Sequence, residues 1–201
     1  MCDSEAENAY DRSMELRSWI TGDLMSLNNR VENGVLNIIP PERMAERVDD
    51  GGIAPVYALW HAARHQDVAV NSVLRGTDQV LTKWGERVGA TEATWRGLAE
   101  AEDLDLVPHL APRAVGDYYL AVIDETLRWV ADADLSVLDT TPDSTAALAK
   151  IGTPTDQFDW LYAMWDGKPG YFFLAWEAVG HGYNHLGELV AVRNRMGLSP
   201  F

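Results

Sequence analysis

The feature that most constrains the fold is a set of four long segments with helical periodicity. They span residues 8–33, 54–75, 112–134 and 171–196. In these segments apolar residues recur at the spacing of one face of an α-helix, with polar residues between them. No segment of the sequence shows the sustained alternation of apolar and polar residues that is typical of a half-buried strand. The sequence therefore predicts an all-α protein.

Prolines and glycines mark the predicted ends of these helices. Pro55 and Pro112 suit the first turn of a helix, where the missing backbone N–H would have had no partner. Gly34, Gly76 and Gly197 follow the periodic residues of three segments and are typical stop signals. The positions of these prolines and glycines thus agree with the helix boundaries that the periodicity predicts.

Two long connections separate the predicted helices. Residues 77–111 are expected to form short helices anchored by Trp84 and Trp95, and residues 139–160 are expected to be loop-like. Four long helices with one or two long connections describe a helical bundle with crossovers. A length of 201 residues, 47% of them apolar, fits a single domain that spans residues 1–201.

The acidic composition limits the expected partners and location. The formal net charge is −15 and no basic run occurs, whereas affinity for nucleic acids and anionic membranes depends on Lys and Arg. We therefore expect neither as a partner. The acidic start does not resemble a signal peptide, and the only cysteine, Cys2, permits no internal disulfide. Both features predict a cytoplasmic protein.

Two histidine pairs share a helical spacing. His61 and His65 lie in the second predicted helix, and His181 and His185 lie in the last one. Residues four apart project from one side of a helix, so each pair could share an ion. Neutral imidazole binds zinc and other divalent transition metals. The alternative is that each ring is hydrogen-bonded in the core, and spacing alone does not establish that the two helices face each other.

The sequences around both pairs resemble motifs of the DinB/YfiT superfamily of metal-binding helical bundles. LWHAAR at 59–64, followed by Gln66 and Asp67, is similar to the family's second-helix motif. HGYNHLGE at 181–188 is similar to its last-helix HxxxHxGE/Q pattern. The order of the motifs and the chain length also agree with the family, while residues 77–111 match no part of it. The resemblance implies a four-helix bundle of DinB/YfiT type with long crossover connections.

The resemblance also implies one divalent ion held by His61, His181 and His185. His65 departs from the family pattern, in which this position is more often apolar or uncharged. It could be an alternative ligand, an acid or base near the open side of the metal, or a surface residue. Zinc is the expected ion, with nickel and iron as alternatives that histidine ligation equally permits.

Arg64 and Glu188 join His65 as candidate catalytic-site residues. A guanidinium at Arg64 suits the carboxylate of a thiol or substrate, and the alternative is an ion pair with Asp67 or Glu188. Glu188 follows His185 by three residues, so it either orients a ligand ring or faces solvent.

A three-histidine site keeps coordination positions open for water or substrate. The resembled superfamily includes thiol-dependent S-transferases and a mycothiol-dependent maleylpyruvate isomerase. It therefore implies a transferase or isomerase in which the metal activates mycothiol or another low-molecular-weight thiol for attack on an electrophile. The thiol and the electrophile are the expected partners, and bundles of this type often form homodimers. The alternatives are a non-catalytic metal-binding bundle with a stress-related role and a hydrolase that activates water.

Overall fold

A computed structural model describes residues 2–48, 51–89 and 94–201, with side chains from residue 15 onward, so the side chain of Cys2 lies outside the described part. Most of the described residues are helical. They include no strand, and the only sheet-like feature among them is an isolated bridge between Val48 and Gly51. The all-α prediction is confirmed. Among these residues, no helix combines the length and apolar character needed to cross a bilayer.

Four long helical segments dominate the described residues. They are α1 (Cys2–Val31) with a π-helical extension (Glu32–Leu36), α2 (Pro55–Gln66) with a π-helical extension (Asp67–Leu74), α5 (Pro112–Asp132), and α8 (Gly170–Phe172) running through a π-helical stretch (Phe173–Gly180) into α9 (His181–Arg195). The predicted boundaries of the second, third and last segments agree with these to within about two residues.

Short helices fill the connections. The α-helices among them are α3 (Gly85–Val88), α4 (Asp103–Leu106), α6 (Ser144–Lys150) and α7 (Asp159–Trp165), and the 3₁₀ turns are Pro41–Arg43, Val80–Lys83, Glu100–Glu102, Val107–His109 and Leu135–Asp139. The prediction of short helices between 77 and 111 is confirmed for the described residues there. The prediction of a loop over 139–160 is wrong in part, because Asp143 caps α6 by accepting a hydrogen bond from the Ala146 N–H at 2.8 Å. A helix of two turns is too short to display periodicity.

The end of α1 also differs from its prediction. Helical backbone continues past Gly34 as far as Leu36, and the side chains of Val35 and Leu36 are buried. The Gly34 carbonyl accepts a hydrogen bond from the Arg193 guanidinium at 2.6 Å. Packing against α9 therefore outweighs the stop signal of a glycine, whose cost in a helix is about 1 kcal/mol.

The position of α2 at the centre of the molecule determines the chemistry of its polar side chains. α2 contacts both α5 and α9, and α1 contacts the same two helices. Every residue of α2 is buried, as expected of a helix enclosed by others. Polar side chains on such a helix need partners, because an unpaired polar group away from water is costly.

Candidate metal centre

Four of the five histidines converge where α2 packs against the start of α9. The ring centre of His61 lies 5.1 Å from that of His181 and 4.9 Å from that of His185. The ring centre of His65 lies 4.3 Å from that of His181. His61, His65 and His185 are buried, and His181 is half-buried. The two histidine pairs therefore face each other, which the spacing could not establish.

Two overlapping groups of side chains within the described residues have the spacing of metal ligands. Donor atoms of His61, His65 and His181 lie within 4.8 Å of one another, and so do those of His61, Glu100 and His185. The Nε2 atoms of His181 and His185 are 3.1 Å apart. Two imidazole nitrogens on one tetrahedral zinc lie about 3.3 Å apart, given bonds of about 2.0–2.1 Å. The cluster is positioned to bind a metal ion.

Hydrogen bonds on the outer side of two rings orient them. His61 Nδ1 lies 2.7 Å from the Gly97 carbonyl oxygen, and His185 Nδ1 lies 2.7 Å from Glu188 Oε2. Because a carbonyl or carboxylate oxygen accepts, each Nδ1 donates and the lone pair of each neutral ring is on Nε2. Metal-binding histidines show the same pattern, with the second nitrogen bonded to a carbonyl or carboxylate. His61 can thus coordinate through Nε2 without rearrangement, whereas coordination by His185 Nε2 would replace its 3.1 Å hydrogen bond with His181 Nε2.

The electrostatics of the cluster favour the neutral form of two of its rings. Burial, together with the neighbouring histidines, lowers the pKa of His61 and of His181 well below the usual range. His181 Nδ1 is buried and has no hydrogen-bond partner among the described residues. Because His185 Nδ1 donates to Glu188, its Nε2 accepts from His181 Nε2 at 3.1 Å, and a metal ion between the two nitrogens would take the place of this hydrogen bond. The donor set therefore fits a divalent transition metal such as zinc.

His65 belongs to the cluster and is only 3% exposed, so the alternative that it is a surface residue is wrong. Its Nδ1 lies 2.9 Å from Glu177 Oε2, and its Nε2 lies 3.0 Å from the Leu98 carbonyl oxygen. Since a carbonyl only accepts, His65 Nε2 donates and would have to break this bond in order to coordinate. His61 has no such obstacle.

Glu177 is a residue of the site that the sequence prediction did not include. It is buried, faces His65, and accepts a hydrogen bond from Trp165 Nε1 at 2.7 Å. It precedes His181 by four residues, so the spacing that singled out His181 and His185 extends back to it. It also lies in the π-helical stretch Phe173–Gly180, a rare backbone form that is frequent at functional sites.

Arg64 lies in a second buried cluster, one position before His65. The predicted alternative, an ion pair with Asp67, is present at 3.2 Å, and both side chains are fully buried. The acceptors around the guanidinium are Asp67 Oδ2, Tyr118 Oη, Gln79 Oε1 and the carbonyls of Thr94 and Arg96. Five acceptors match the five N–H donors of arginine. A substrate carboxylate would have to displace one of them, and the role of Arg64 in substrate binding stays a prediction.

No protein-family model matches this chain, and no curated protein matches it either. Membership of the DinB/YfiT superfamily therefore stays a prediction that depends on the two histidine motifs.

Proposed function

We propose that the chain is a four-helix bundle of DinB/YfiT type and a divalent-metal-dependent transferase or isomerase that activates a low-molecular-weight thiol. The observation that carries this proposal is the meeting of His61, His181 and His185 from two different helices, with the Nε2 atoms of His181 and His185 only 3.1 Å apart. A structural core histidine uses its ring nitrogens in hydrogen bonds within the protein. Here His181 and His185 bond each other through Nε2 at a distance that one metal ion could bridge, and His181 Nδ1 has no partner among the described residues.

The packing of the long helices supports the bundle assignment. The four long helices form a closed ring of contacts, in which α1 packs against α5, α5 against α2, α2 against α9, and α9 against α1. The histidine pairs lie on α2 and α9, the second and last long helices in chain order, as in the motifs that carry the resemblance. The long connections between α2 and α5 and between α5 and α8 correspond to crossovers in such a bundle.

We assign His61, His181 and His185 as the ligands, with zinc as the expected ion. A bound zinc ion would lower the pKa of a thiol that coordinates it, so that the nucleophilic thiolate exists near neutral pH. Three protein ligands are the number found in catalytic sites, which keep a further position for substrate. The described side chains include no cysteine, so the sulfur would come from an external thiol such as mycothiol.

The surrounding residues would orient the ligands and hold a proton beside them. The Gly97 carbonyl and Glu188 fix the planes of His61 and His185. His65 Nδ1 and Glu177 Oε2 share a hydrogen bond of 2.9 Å next to the ligand rings. Trp165 holds the second oxygen of Glu177. This pair is the candidate general acid or base for an electrophile that needs a proton.

Spectroscopy of the cobalt-substituted protein tests the proposal. Mycothiol, bacillithiol and glutathione are added separately, and S-methylglutathione, which has no free thiol, is the control. We expect a sulfur-to-cobalt charge-transfer band with at least one thiol and no band with the control. Cobalt that binds but responds to none of the three thiols would contradict the thiol function.

A further inference from the structure

The segment that covers the histidine cluster is residues 96–102, from the connection between α2 and α5. The Gly97 carbonyl accepts a hydrogen bond from the His61 ring, and the Leu98 carbonyl accepts one from the His65 ring. Gly97 has a positive φ of 93°, and a Cβ there would lie 2.1 Å from Trp60 Nε1. Only glycine permits this close approach. The covering segment is therefore fixed against α2 by backbone atoms rather than by its side chains alone.

The two glutamates of this segment have different surroundings. Glu102 accepts hydrogen bonds from the Gly97 N–H at 2.9 Å and the Ala99 N–H at 3.2 Å, and it also pairs with Arg96. Glu102 thus stabilises the segment itself. The Glu100 carboxylate is exposed and has no hydrogen bond or ion pair to any described residue. It nevertheless has an oxygen within 4.8 Å of donor atoms of both His61 and His185.

The two groups of donor atoms share His61, and the Nε2 atoms of His181 and His185, one ring from each group, lie 3.1 Å apart. His61 Nδ1 is bonded to the Gly97 carbonyl, so Nε2 is the one ring nitrogen left for a metal ion. An ion bound to this atom would have members of both groups around it. The histidines approach it from the helices, and the exposed Glu100 approaches it from solvent.

We propose that Glu100 is a fourth, displaceable protein ligand on the solvent side of the site, and that an entering anion takes its place. This inference rests on the metal site of the proposed function. In the exchange the carboxylate leaves with its own electron pair and the anion donates another, so the net charge of the site is unchanged. A neutral ligand would leave the buried site with one more positive charge. Glu100 would thereby favour thiolates and other anions over neutral ligands.

The variant Glu100→Gln tests this role, and Glu86→Gln, which changes an exposed glutamate in α3, is the matched control. Cobalt affinity is measured by competition with a chelator. Azide, a small anion without a thiol, is then titrated against the cobalt-loaded proteins and followed by visible absorption. For Glu100→Gln we expect cobalt affinity to fall about tenfold, the lower limit seen even for partners of ligands. Azide should bind about tenfold more tightly if Glu100 holds its position nine-tenths of the time.

The outcomes separate this inference from the proposed function. If all three proteins share one cobalt affinity and one azide affinity, Glu100 is not a ligand and the histidine site stands without it. If Glu100→Gln shows the expected changes while no thiol gives a charge-transfer band, the thiol function fails and the role of Glu100 is supported. A wild-type protein that does not bind cobalt would overturn both. The cobalt affinity alone decides the role of Glu100 if azide binds weakly.

Discussion

Two buried polar clusters lie side by side on α2, and they differ in how their charges are balanced. Around Arg64 a cation and an anion, the carboxylate of Asp67, are both fully buried and paired. Around His61 the histidine rings face one another, and His181 Nδ1 has no partner among the described residues. A balanced buried cluster can be accounted for by folding alone. The ring nitrogen without a partner in the second cluster supports the proposal that this cluster binds a metal ion.

The balanced cluster also supports the unbalanced one. The carbonyls of Thr94 and Arg96 accept hydrogen bonds from Arg64, and these residues lie just before and at the start of the segment 96–102 that covers the histidines. Asp67 accepts hydrogen bonds from the backbone N–H groups of Val80 and Leu81, at 2.9 and 3.0 Å. The connection between α2 and α5 is thus attached to α2 at two places. The ion pair therefore helps to position the segment that covers the candidate metal centre.

The largest expected effect is a loss of stability when the Arg64–Asp67 ion pair is broken. Arg64→Met leaves the Asp67 carboxylate buried without its cation, so we expect a loss of about 3–5 kcal/mol in the free energy of unfolding. Urea denaturation measures it. Arg128→Met, which removes an exposed ion pair with Glu125, is the control and should cost less than about 1 kcal/mol. Equal small losses would show that the cluster contributes no more than a surface pair.

Removing a ligand should have the opposite signature, with large loss of metal and little loss of fold. We expect His61→Ala, His181→Ala and His185→Ala each to weaken metal binding at least about a hundredfold, or about 2.7 kcal/mol. The helices should persist, because packing supplies most of their stability. Elemental analysis and circular dichroism measure the two quantities. His65→Ala should retain the ion. If His61→Ala retains the ion and His65→Ala loses it, His65 and not His61 is the third ligand.

Acid should destabilise the metal-free protein through the unbalanced cluster. The pKa values of His61 and His181 are lowered in the folded state, so below the ordinary histidine pKa of about 6.5 the unfolded chain binds more protons than the folded one. Stability is then highest above that pH and falls as the pH decreases, by about 1.4 kcal/mol per pH unit for each histidine. Urea denaturation at pH 7.5, 6.5 and 5.5 measures the slope. His181→Asn should remove one histidine's share of it, and an unchanged slope would contradict this origin.

The smallest expected effect comes from a partner of a ligand. Glu188 orients His185 but is itself exposed, so Glu188→Gln should weaken metal binding by about tenfold, the low end of the range for such partners. Chelator competition measures this change, and Glu86→Gln again serves as the control. A metal affinity equal to that of the control would mean that the helix alone orients His185.

Much of the fold and part of the site could be predicted from the sequence. Helical periodicity placed α2, α5 and α9 because the pattern depends on neighbours within one or two turns. The spacing of four also placed each histidine pair on one side of its helix. The same reasoning failed at Gly34, where contacts with the distant α9 extend the helix, and at the short helix α6.

The sequence by itself determined the all-α class and the two histidine pairs, since both follow from short-range backbone geometry. Only the tertiary structure decided that the pairs face each other, that Arg64 is committed to Asp67, and that His65 is buried against Glu177, a residue 112 positions away. The backbone carbonyls of Gly97 and Leu98 contribute as much to the site as side chains do, yet every residue has a carbonyl. No sequence pattern distinguishes them, because their role depends on which helix the covering segment lies against.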